Sequence, residues 1–207
     1  MNEPNYVHVV DDDASLRRAL SFLLESVGWQ VVSHASAEDF LKNFDRSRRP
    51  ACVVLDIRMP LMSGLELQQL LRERGIRVPV VFLTGHGDIE MAVQAMKAGA
   101  CDFIEKPFKD QVLLDAVGRA LRRDAERRGE KEERQALHER FNRLSPRELE
   151  IARLVADGLP SKTISTRLDI SERTVQVHRM HLMAKLEIHS VAELARLVLL
   201  LDGSEGA

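Results

Sequence analysis

Apolar runs and segments with helical periodicity alternate over the first 122 residues of the chain. Runs such as YVHVV at 6–10 and ACVVLD at 51–56 indicate strands, and the segments between such runs carry apolar residues at the spacing of a helix face. Five strand–helix repeats predict an α/β fold, a parallel sheet with helices on both faces and right-handed crossovers. The predicted strands are 6–10, 30–35, 51–56, 78–84 and 101–106, and the predicted helices are 16–27, 36–44, 64–74, 88–98 and 110–122.

The composition changes after the fifth predicted helix. The segment 123–143 is dominated by charges of both signs, and its apolar candidates are Ala125, Ala136, Leu137 and Phe141. It is either a solvated helix that continues from 110–122, a flexible tether or part of a dimeric coiled coil, and Gly129 argues against an independently stable helix. We treat it as a charged helical linker between a domain 1–122 and a domain 144–203.

The second domain shows short helices with clear start signals. Ser145 is an N-cap candidate, Pro146 suits the first turn, and Glu148 completes a capping box. Ser190 and Glu193 repeat the capping-box pattern. We predict an all-α domain with four helices at 146–157, 161–168, 172–186 and 191–201.

The charge of the chain does not by itself indicate a partner. The 207 residues have a formal net charge of -2, with 14 Lys and Arg against 17 Asp and Glu in residues 1–120 and 16 against 15 in residues 121–207. The weakly basic second half permits nucleic-acid binding without requiring it.

Neither the cysteines nor the hydropathy pattern indicates a secreted or membrane protein. Cys52 and Cys101 each lie beside an apolar run and do not form a CxxC pair, so we expect small core residues. The chain does not open on a basic segment followed by a long apolar one, and no window approaches the ~18 apolar residues of a membrane span. We expect a cytoplasmic protein without a membrane partner.

Polar residues stand at the carboxyl ends of four predicted strands. Asp11, Asp12 and Asp13 follow the first strand, Asp56 ends the third, Thr84 ends the fourth, and Lys106 ends the fifth. Parallel strands bring these ends to one rim, where open α/β sheets bind ligands. Two carboxylates ~4 Å apart repel by about 4 kcal/mol at an effective dielectric of about 20. A hard cation such as Mg²⁺ would relieve this repulsion, and Mg²⁺ with a lysine suits phosphoryl transfer. The alternative is that the acids only cap loops and helices, and for Asp13 the two interpretations are evenly balanced.

The order and spacing of these motifs resemble the receiver domain of bacterial two-component response regulators, over about residues 5–122. The motifs are VVDDD at 9–13, LDIRMP at 55–60, LTGHGD at 83–88 and MKAGACDFIEKPF at 96–108. The likeness is to the FixJ/NarL class, and it implies a doubly wound (βα)5 sheet with the strand order 2-1-3-4-5.

The resemblance assigns a role to each polar residue of the rim. Asp56 would be the phosphoacceptor, and Asp12 would hold Mg²⁺ together with Asp56 and the backbone carbonyl of Arg58. Asp11 would act on the metal through a bound water. Lys106 would bind the phosphoryl oxygens.

The resemblance also implies a switch. Thr84 would donate its hydroxyl to the phosphoryl group, and Phe103 would rotate inward in response. The family further implies a cis peptide before Pro107. Two positions depart from the family pattern, since Phe103 stands where Tyr is frequent and Gly85 stands where a small residue with a Cβ is usual. We expect the loop through Gly87 to be mobile.

The stretch SKTISTRLDISERTVQVHRMHLMAKL at 161–186 is typical of a helix, a tight turn and a second helix. Its predicted shared apolar face comprises Ile164, Leu168, Ile170, Val175, Leu182 and Leu186. A second helix that presents free backbone N–H groups at its start suits phosphate, and such a helix fits the major groove of DNA. The pattern alone also allows a small helical bundle that docks another protein.

The segment from 144 to 186 resembles the LuxR/NarL-type DNA-binding domain. The recognition helix of that family maps onto 172–186, with Gln176, Val177 and Met180 at base-reading positions. The expected contacts to the DNA backbone are Lys162, Arg173, Thr174 and Lys185. Gln176 and Met180 stand where lysine is frequent, so the operator does not carry over. Asp169 occupies a turn position that is often glycine, and Asp tolerates the left-handed conformation.

Together the two halves indicate a transcription factor that a sensor histidine kinase switches by phosphorylating Asp56. Its own chemistry would be limited to self-phosphorylation from a phosphodonor and slow self-dephosphorylation. The expected partners are the kinase, double-stranded DNA, RNA polymerase and a second copy of the chain, because a homodimer reads paired half-sites. Activation is the commoner outcome in this class, and repression stays open.

Two other classes of protein share a similar sheet. A phosphatase with an aspartyl nucleophile needs a second acid two residues after the nucleophile, where this chain has Arg58. A nucleotide- or flavin-binding domain needs a glycine-rich turn after the first strand, where this chain has DDDAS. The chain therefore lacks a feature that each of these two classes requires.

Overall fold

The computed structural model describes residues 5–48, 51–85 and 89–204. The chain forms two compact units, Met1–Arg128 and Gly129–Ala207. Within the described ranges, no helix is long and apolar enough to cross a membrane. The predicted mobility of the loop through Gly87 falls on residues 86–88, which lie outside the described residues.

The first unit is built on a five-stranded parallel sheet. The strands are β1 (Tyr6–Val10), β2 (Gln30–His34), β3 (Ala51–Asp56), β4 (Val80–Thr84) and β5 (Asp102–Glu105). Their order in the sheet is β2-β1-β3-β4-β5, and every neighbouring pair is parallel. The predicted α/β class and strand order are confirmed, and the predicted strands were too long by one or two residues at some ends.

Helices cover both faces of this sheet. They are α1 (Ala14–Glu25), α2 (Ala37–Asn43), α3 (Gly64–Glu73), α4 (Ile89–Lys97) and α5 (Asp110–Asn142). Both faces of the sheet are apolar at the central strand β3, because the side chains of β3 alternate between two separate core clusters. Cys52 and Val54 pack with residues of α1 and α5, while Val53 and Leu55 pack with residues of α2, α3 and α4. Cys52 is thus the small core residue that was predicted.

The fifth helix does not end at residue 122, because α5 is continuous over Asp110–Asn142 and includes almost all of the charged segment. Leu121 packs into a core cluster of the first unit, and Phe141 packs into that of the second unit. Packing near both ends outweighs the roughly 1 kcal/mol that Gly129 costs a helix interior.

The second unit continues with four short helices. They are α6 (Pro146–Ala156), α7 (Ser161–Leu168), α8 (Glu172–Leu186) and α9 (Val191–Ser204). The capping box of Ser145 and Glu148 is present, and Ser171 caps α8. Asp169 ends α7 in the left-handed conformation, with φ 51°. All six residues of the predicted apolar face belong to the core of this unit, Leu168 and Ile170 at its margin.

Candidate functional site

The predicted acidic site lies at the carboxyl edge of the sheet. Asp56 is the last residue of β3, Thr84 is the last residue of β4, and Lys106 directly follows β5. The Lys106–Pro107 peptide bond is cis, as the family resemblance implied. The backbone N–H of Lys106 donates to the carbonyl oxygen of Thr84 at 2.7 Å, so the pairing of β4 with β5 extends to the lysine.

Lys106 bridges two buried carboxylates. Its Nζ donates to Oδ1 of Asp56 at 2.6 Å and to Oδ2 of Asp11 at 3.0 Å. The second oxygen of Asp56, Oδ2, accepts from the backbone N–H of Arg58 at 2.9 Å. Asp56 is 7% exposed and Asp11 is 2% exposed, so both carboxylates are largely shielded from solvent.

Burial and ion pairing act in opposite directions on these groups. Burial raises the pKa of Asp56, and the hydrogen bond and charge of Lys106 offset this only in part, while the nearby Asp11 adds to the rise. Burial disfavours the ammonium of Lys106, but its hydrogen bonds to Asp56 and Asp11 outweigh that effect and raise the pKa of Lys106. The site therefore holds more negative charge than one lysine neutralises.

The three consecutive acids after β1 have different environments. Asp11 is buried and accepts a hydrogen bond from the backbone N–H of Asp13 at 2.8 Å. Asp13 is the N-cap of α1, because its Oδ1 accepts from the backbone N–H groups of Ser15 and Leu16. These two hydrogen bonds lower the pKa of the exposed Asp13. Asp12 is exposed to solvent at the same rim.

The donor set fits Mg²⁺. The carboxylate oxygens of Asp56 and of the exposed Asp12 are hard ligands, Asp11 is a second buried carboxylate beside Asp56, and Mg²⁺ keeps several waters when it binds few carboxylates. Among the residues described, no group of three or more His, Cys, Asp or Glu side chains is placed to hold a metal ion by itself.

The two predicted switch residues lie on neighbouring strands. Thr84 is 1% exposed at the end of β4. Phe103 lies in β5 opposite Phe82, is partly buried, and packs against the core cluster of α2, α3 and α4. Thr84 is thus held at the rim beside β5, whereas Phe103 has a partly exposed ring.

Gly64 is a residue of this site that sequence reasoning missed. It opens α3 and its backbone N–H donates to the carbonyl oxygen of Ile57 at 2.9 Å. A Cβ at this position would stand 2.3 Å from the carbonyl oxygen of Asp56. Only glycine allows α3 to approach the backbone of Asp56 so closely. The signal was the motif LDIRMPLMSG, in which the glycine follows the aspartate at a fixed spacing.

A separate candidate interface lies on α8 of the second unit. Val175, Leu182 and Leu186 are completely buried on one face of the helix. The opposite face is exposed and includes two apolar side chains, Val177 at 41% and Met180 at 62% exposure. The predicted DNA contacts Lys162, Arg173 and Gln176 are exposed, and Thr174 is partly buried. Exposed apolar residues on a helix that is firmly packed through its other face are typical of a recognition surface.

Lys185 differs from the other predicted DNA contacts. Its Nζ donates to Oε2 of Glu148 at 2.6 Å. Arg147, which was assigned no role, donates to the carbonyl oxygen of Leu168 at 2.6 Å and so holds the end of α7 to α6. Sequence reasoning missed both contacts because long side chains pair across helices without a periodic pattern.

Comparison with known proteins identifies both halves of the chain. Residues 7–118 match the family model of the response regulator receiver domain, and residues 142–198 match that of the bacterial regulatory proteins of the luxR family. Nodulation protein W of Bradyrhizobium diazoefficiens is 46% identical over 194 residues, which cover 92% of this chain and 84% of that protein. The transcriptional regulatory protein FixJ of Azorhizobium caulinodans is 45% identical over 203 residues, which cover 97% of this chain and 94% of that protein.

Two solved structures of similar proteins match this chain over nearly its whole length. The response regulator StyR is 46% identical with a TM-score of 0.88, and the match covers 94% of this chain and 98% of that chain. Full-length FixJ from B. japonicum is 37% identical with a TM-score of 0.58, over 96% and 97% of the two chains. The likeness thus extends over nearly the whole chain.

Proposed function

Since the chain belongs to the response regulators that join a receiver domain to a LuxR-type DNA-binding domain, a family of phosphorylation-switched transcription factors, we propose that Asp56 is its phosphoacceptor. The observation that supports this proposal is the position of Asp56, a buried carboxylate at the carboxyl end of the central strand that Lys106 contacts at 2.6 Å. In the reaction a carboxylate oxygen of Asp56 attacks the phosphorus of a phosphohistidine on the sensor kinase. The bond from phosphorus to the histidine nitrogen then breaks.

The other residues of the rim stabilise the transferred group. Lys106 binds the phosphoryl oxygens. Asp11 orients the ammonium of Lys106 toward them. The ligands proposed for Mg²⁺ are Asp12, Asp56 and the backbone carbonyl of Arg58, with Asp11 acting through water. The metal would supply the positive charge that phosphoryl transfer requires.

The signal is transmitted through Thr84 and Phe103. Thr84 donates its hydroxyl to the phosphoryl group, and this movement leaves space into which the partly buried ring of Phe103 rotates. Because Phe103 lacks the hydroxyl of a tyrosine, the switched state of the ring is held by packing alone.

The DNA-binding function is assigned to α8. Gln176, Val177 and Met180 are proposed to read base edges in the major groove, which their exposure on one face of the helix supports. Backbone phosphates are contacted by Lys162, Arg173 and Thr174. We place Lys185 in a positioning role, because its ammonium is already bound to the buried Glu148.

The phosphorylated protein acts on DNA as a homodimer and activates transcription together with RNA polymerase. We place the receiver domain at 1–122, the linker at 123–143 and the DNA-binding domain at 144–203. Dimerisation supplies two recognition helices for paired half-sites. Sedimentation of the chain before and after phosphorylation tests this part of the proposal.

A direct test treats the purified chain with acetyl phosphate and Mg²⁺, and measures the mass of the intact protein and its affinity for selected genomic DNA fragments. The wild type should gain one phosphoryl group and bind DNA more tightly, and Asp56→Asn should do neither. Asp13→Asn is the matched control, because asparagine also caps helices and Asp13 contacts the N-terminus of α1. Equal labelling of Asp56→Asn and the wild type would refute the assignment.

A further inference from the structure

The exposed face of α8 carries a continuous row of apolar side chains. Val177, Met180 and Ala184 share this face, because they are spaced by three and four residues along the helix. All three are exposed, Met180 to 62%. We call these three residues the apolar stripe. The opposite face of α8 packs into the core of the second unit through Val175 and Leu182, so packing within that unit does not account for the stripe.

The cationic side chains of α8 lie away from the middle of the apolar stripe. Nη1 of Arg179 donates to Oγ of Ser161 in α7 at 3.4 Å, and Nζ of Lys185 is bound to Glu148 of α6. Arg173 lies in the first turn, before the stripe begins. The commonest specific contact in the major groove is that of arginine or lysine with guanine. The middle of α8 therefore lacks the side chains that read guanine.

Thymine offers the apolar stripe a matching group. Among the four bases, thymine alone presents a methyl group in the major groove, and apolar side chains contact it there. Val177 and Ala184 are seven residues apart, about 10 Å along the helix axis, which is about three base-pair steps of DNA. Gln176 lies next to the stripe and is exposed, and a glutamine amide can make two hydrogen bonds to adenine, the partner of thymine. The stripe and its neighbour thus favour the same kind of base pair.

We propose that the apolar stripe reads the methyl groups of thymine, so that the half-site bound by this chain contains A·T pairs over about three base-pair steps. This inference rests on the proposed role of α8 in DNA binding and adds the class of base that α8 selects. Val177 and Met180 cover the methyl groups, and Gln176 binds N6 and N7 of an adenine. Ala184 has a short side chain, which lets the last turns of α8 approach the groove closely.

The test begins with the selection of duplexes from a random pool by the full chain, with and without acetyl phosphate and Mg²⁺. Each thymine of the selected half-site is then replaced in turn by deoxyuridine, which lacks only the methyl group, and binding is measured by fluorescence anisotropy. At two or more positions the dissociation constant should rise at least about threefold, the effect of one buried methyl group. Deoxyuridine outside the half-sites is the control and should leave the affinity unchanged.

Two variants connect the methyl groups to the apolar stripe. In Val177→Ala the loss of affinity caused by deoxyuridine should shrink at one position, and in Met180→Ala at another, because the side chain and the methyl group contribute through the same contact. Leu199→Ala is the matched control, since Leu199 is an apolar side chain of α9 that is 74% exposed. This variant should keep the loss at every position.

The outcomes separate this inference from the proposed function. Equal affinity for thymine and deoxyuridine duplexes at every position, selected half-sites without A·T pairs, or an unchanged loss in both Val177→Ala and Met180→Ala would overturn the inference while DNA binding stands. If no duplex binds, the DNA-binding role of α8 fails and the inference fails with it. Because the selection is also made without acetyl phosphate, a failure of phosphorylation at Asp56 does not affect the test.

Discussion

The ammonium of Lys185 lies 2.6 Å from Oε2 of Glu148, and this contact joins the end of α8 to the start of α6. The same carboxylate accepts the backbone N–H of Ser145 at 2.7 Å in the capping box. Burial alone would raise the pKa of Glu148, but the hydrogen bonds from Lys185 and Ser145 lower it to about 2. One buried carboxylate, 4% exposed, therefore holds both the helix start and the helix proposed to read DNA.

Glu148→Gln should destabilise the second unit by roughly 2 kcal/mol at neutral pH, because Lys185 loses its charged hydrogen bond to the buried carboxylate of Glu148. An acid whose pKa is depressed by folding stabilises the protein above the unfolded value and ceases to do so as the pH falls through the folded value. The difference in the free energy of unfolding between wild type and variant should reach its full size above pH 4.5 and shrink toward pH 2. Urea unfolding followed by circular dichroism measures it. The control is the exposed Glu150→Gln, and a difference that does not depend on pH would contradict this explanation.

Asp56→Asn should stabilise the receiver unit at neutral pH. Burial raises the pKa of Asp56, so the folded state opposes its ionisation, and the native protein loses stability as the pH rises through that pKa. The neutral amide removes this cost, and we expect a gain of about 1 kcal/mol, or roughly 4 °C in melting temperature. Calorimetry at pH 7 and at pH 3.5 tests the sign, because the gain should vanish at the acidic pH. An equal gain at both values would point to a cause other than ionisation.

Asp124 should be essential for the stability of the first unit. Its carboxylate is completely buried, accepts the backbone N–H of Ala51 at 3.0 Å, and pairs with Arg127 at 2.7 Å. Arg127→Met removes a cation that contacts this buried carboxylate and should cost roughly 2 kcal/mol in the free energy of unfolding. Arg122→Met, an exposed arginine of the same helix, is the control. Equal stability of the two variants would show that Arg127 does not compensate the buried charge.

The sheet and the residues of its rim could be predicted because each depends on local pattern. The apolar run 51–56 ending in Asp56 already indicates a buried strand with an acid at its end, and parallel pairing then places Lys106 at the same rim. The family resemblance placed a turn at Asp169, and the tolerance of Asp for the left-handed conformation allowed it to stand there in place of glycine. In each case neighbouring residues determine the outcome.

What could not be predicted depends on long side chains and on distant packing. The contact of Lys185 with Glu148 spans 37 positions, and that of Asp124 with Ala51 spans 73 positions. The pattern after residue 122 left a continuing helix, a tether and a coiled coil open, because the polar composition of this segment hides the packing of Phe141 into the second core. Tertiary contacts override local propensity at each of these positions.

Gln176→Ala and Lys162→Met should weaken DNA binding in different ways. Loss of a base-reading residue should cost about 1–3 kcal/mol and relax specificity at one position of the operator. Loss of a phosphate contact should weaken binding to all sequences alike and lower the slope of log K against log salt by about 1. Binding is measured by fluorescence anisotropy at several salt concentrations. The exposed Arg196→Gln on α9 is the charge-matched control for Lys162→Met, and identical salt slopes for these two variants would remove Lys162 from the interface.

Thr84→Val should separate phosphorylation from its effect on DNA binding. Valine has nearly the shape of threonine, and Thr84 is 1% exposed at the end of β4, so the sheet should be preserved while the hydroxyl is lost. Asp56 and Lys106 keep their contact, and labelling by acetyl phosphate with Mg²⁺ should therefore continue. Without the hydroxyl the phosphoryl group has no means of drawing β4 inward, and the ring of Phe103 should keep its partly exposed position. The gain in DNA affinity on phosphorylation should then fall at least about tenfold.

The matched control for this experiment is Thr163→Val, which makes the same change at an exposed position of α7. The position of the Phe103 ring is followed by ¹⁹F NMR of fluorinated phenylalanine, with and without the phosphodonor. A normal gain in DNA affinity by phosphorylated Thr84→Val would remove Thr84 from the switch, and the signal from Asp56 would then have to reach the second unit by another route. If phosphorylated Thr84→Val shows neither the gain in DNA affinity nor a change in the ¹⁹F signal of Phe103, the two residues move together. The ring of Phe103 would then respond to phosphorylation only when the hydroxyl of Thr84 is present.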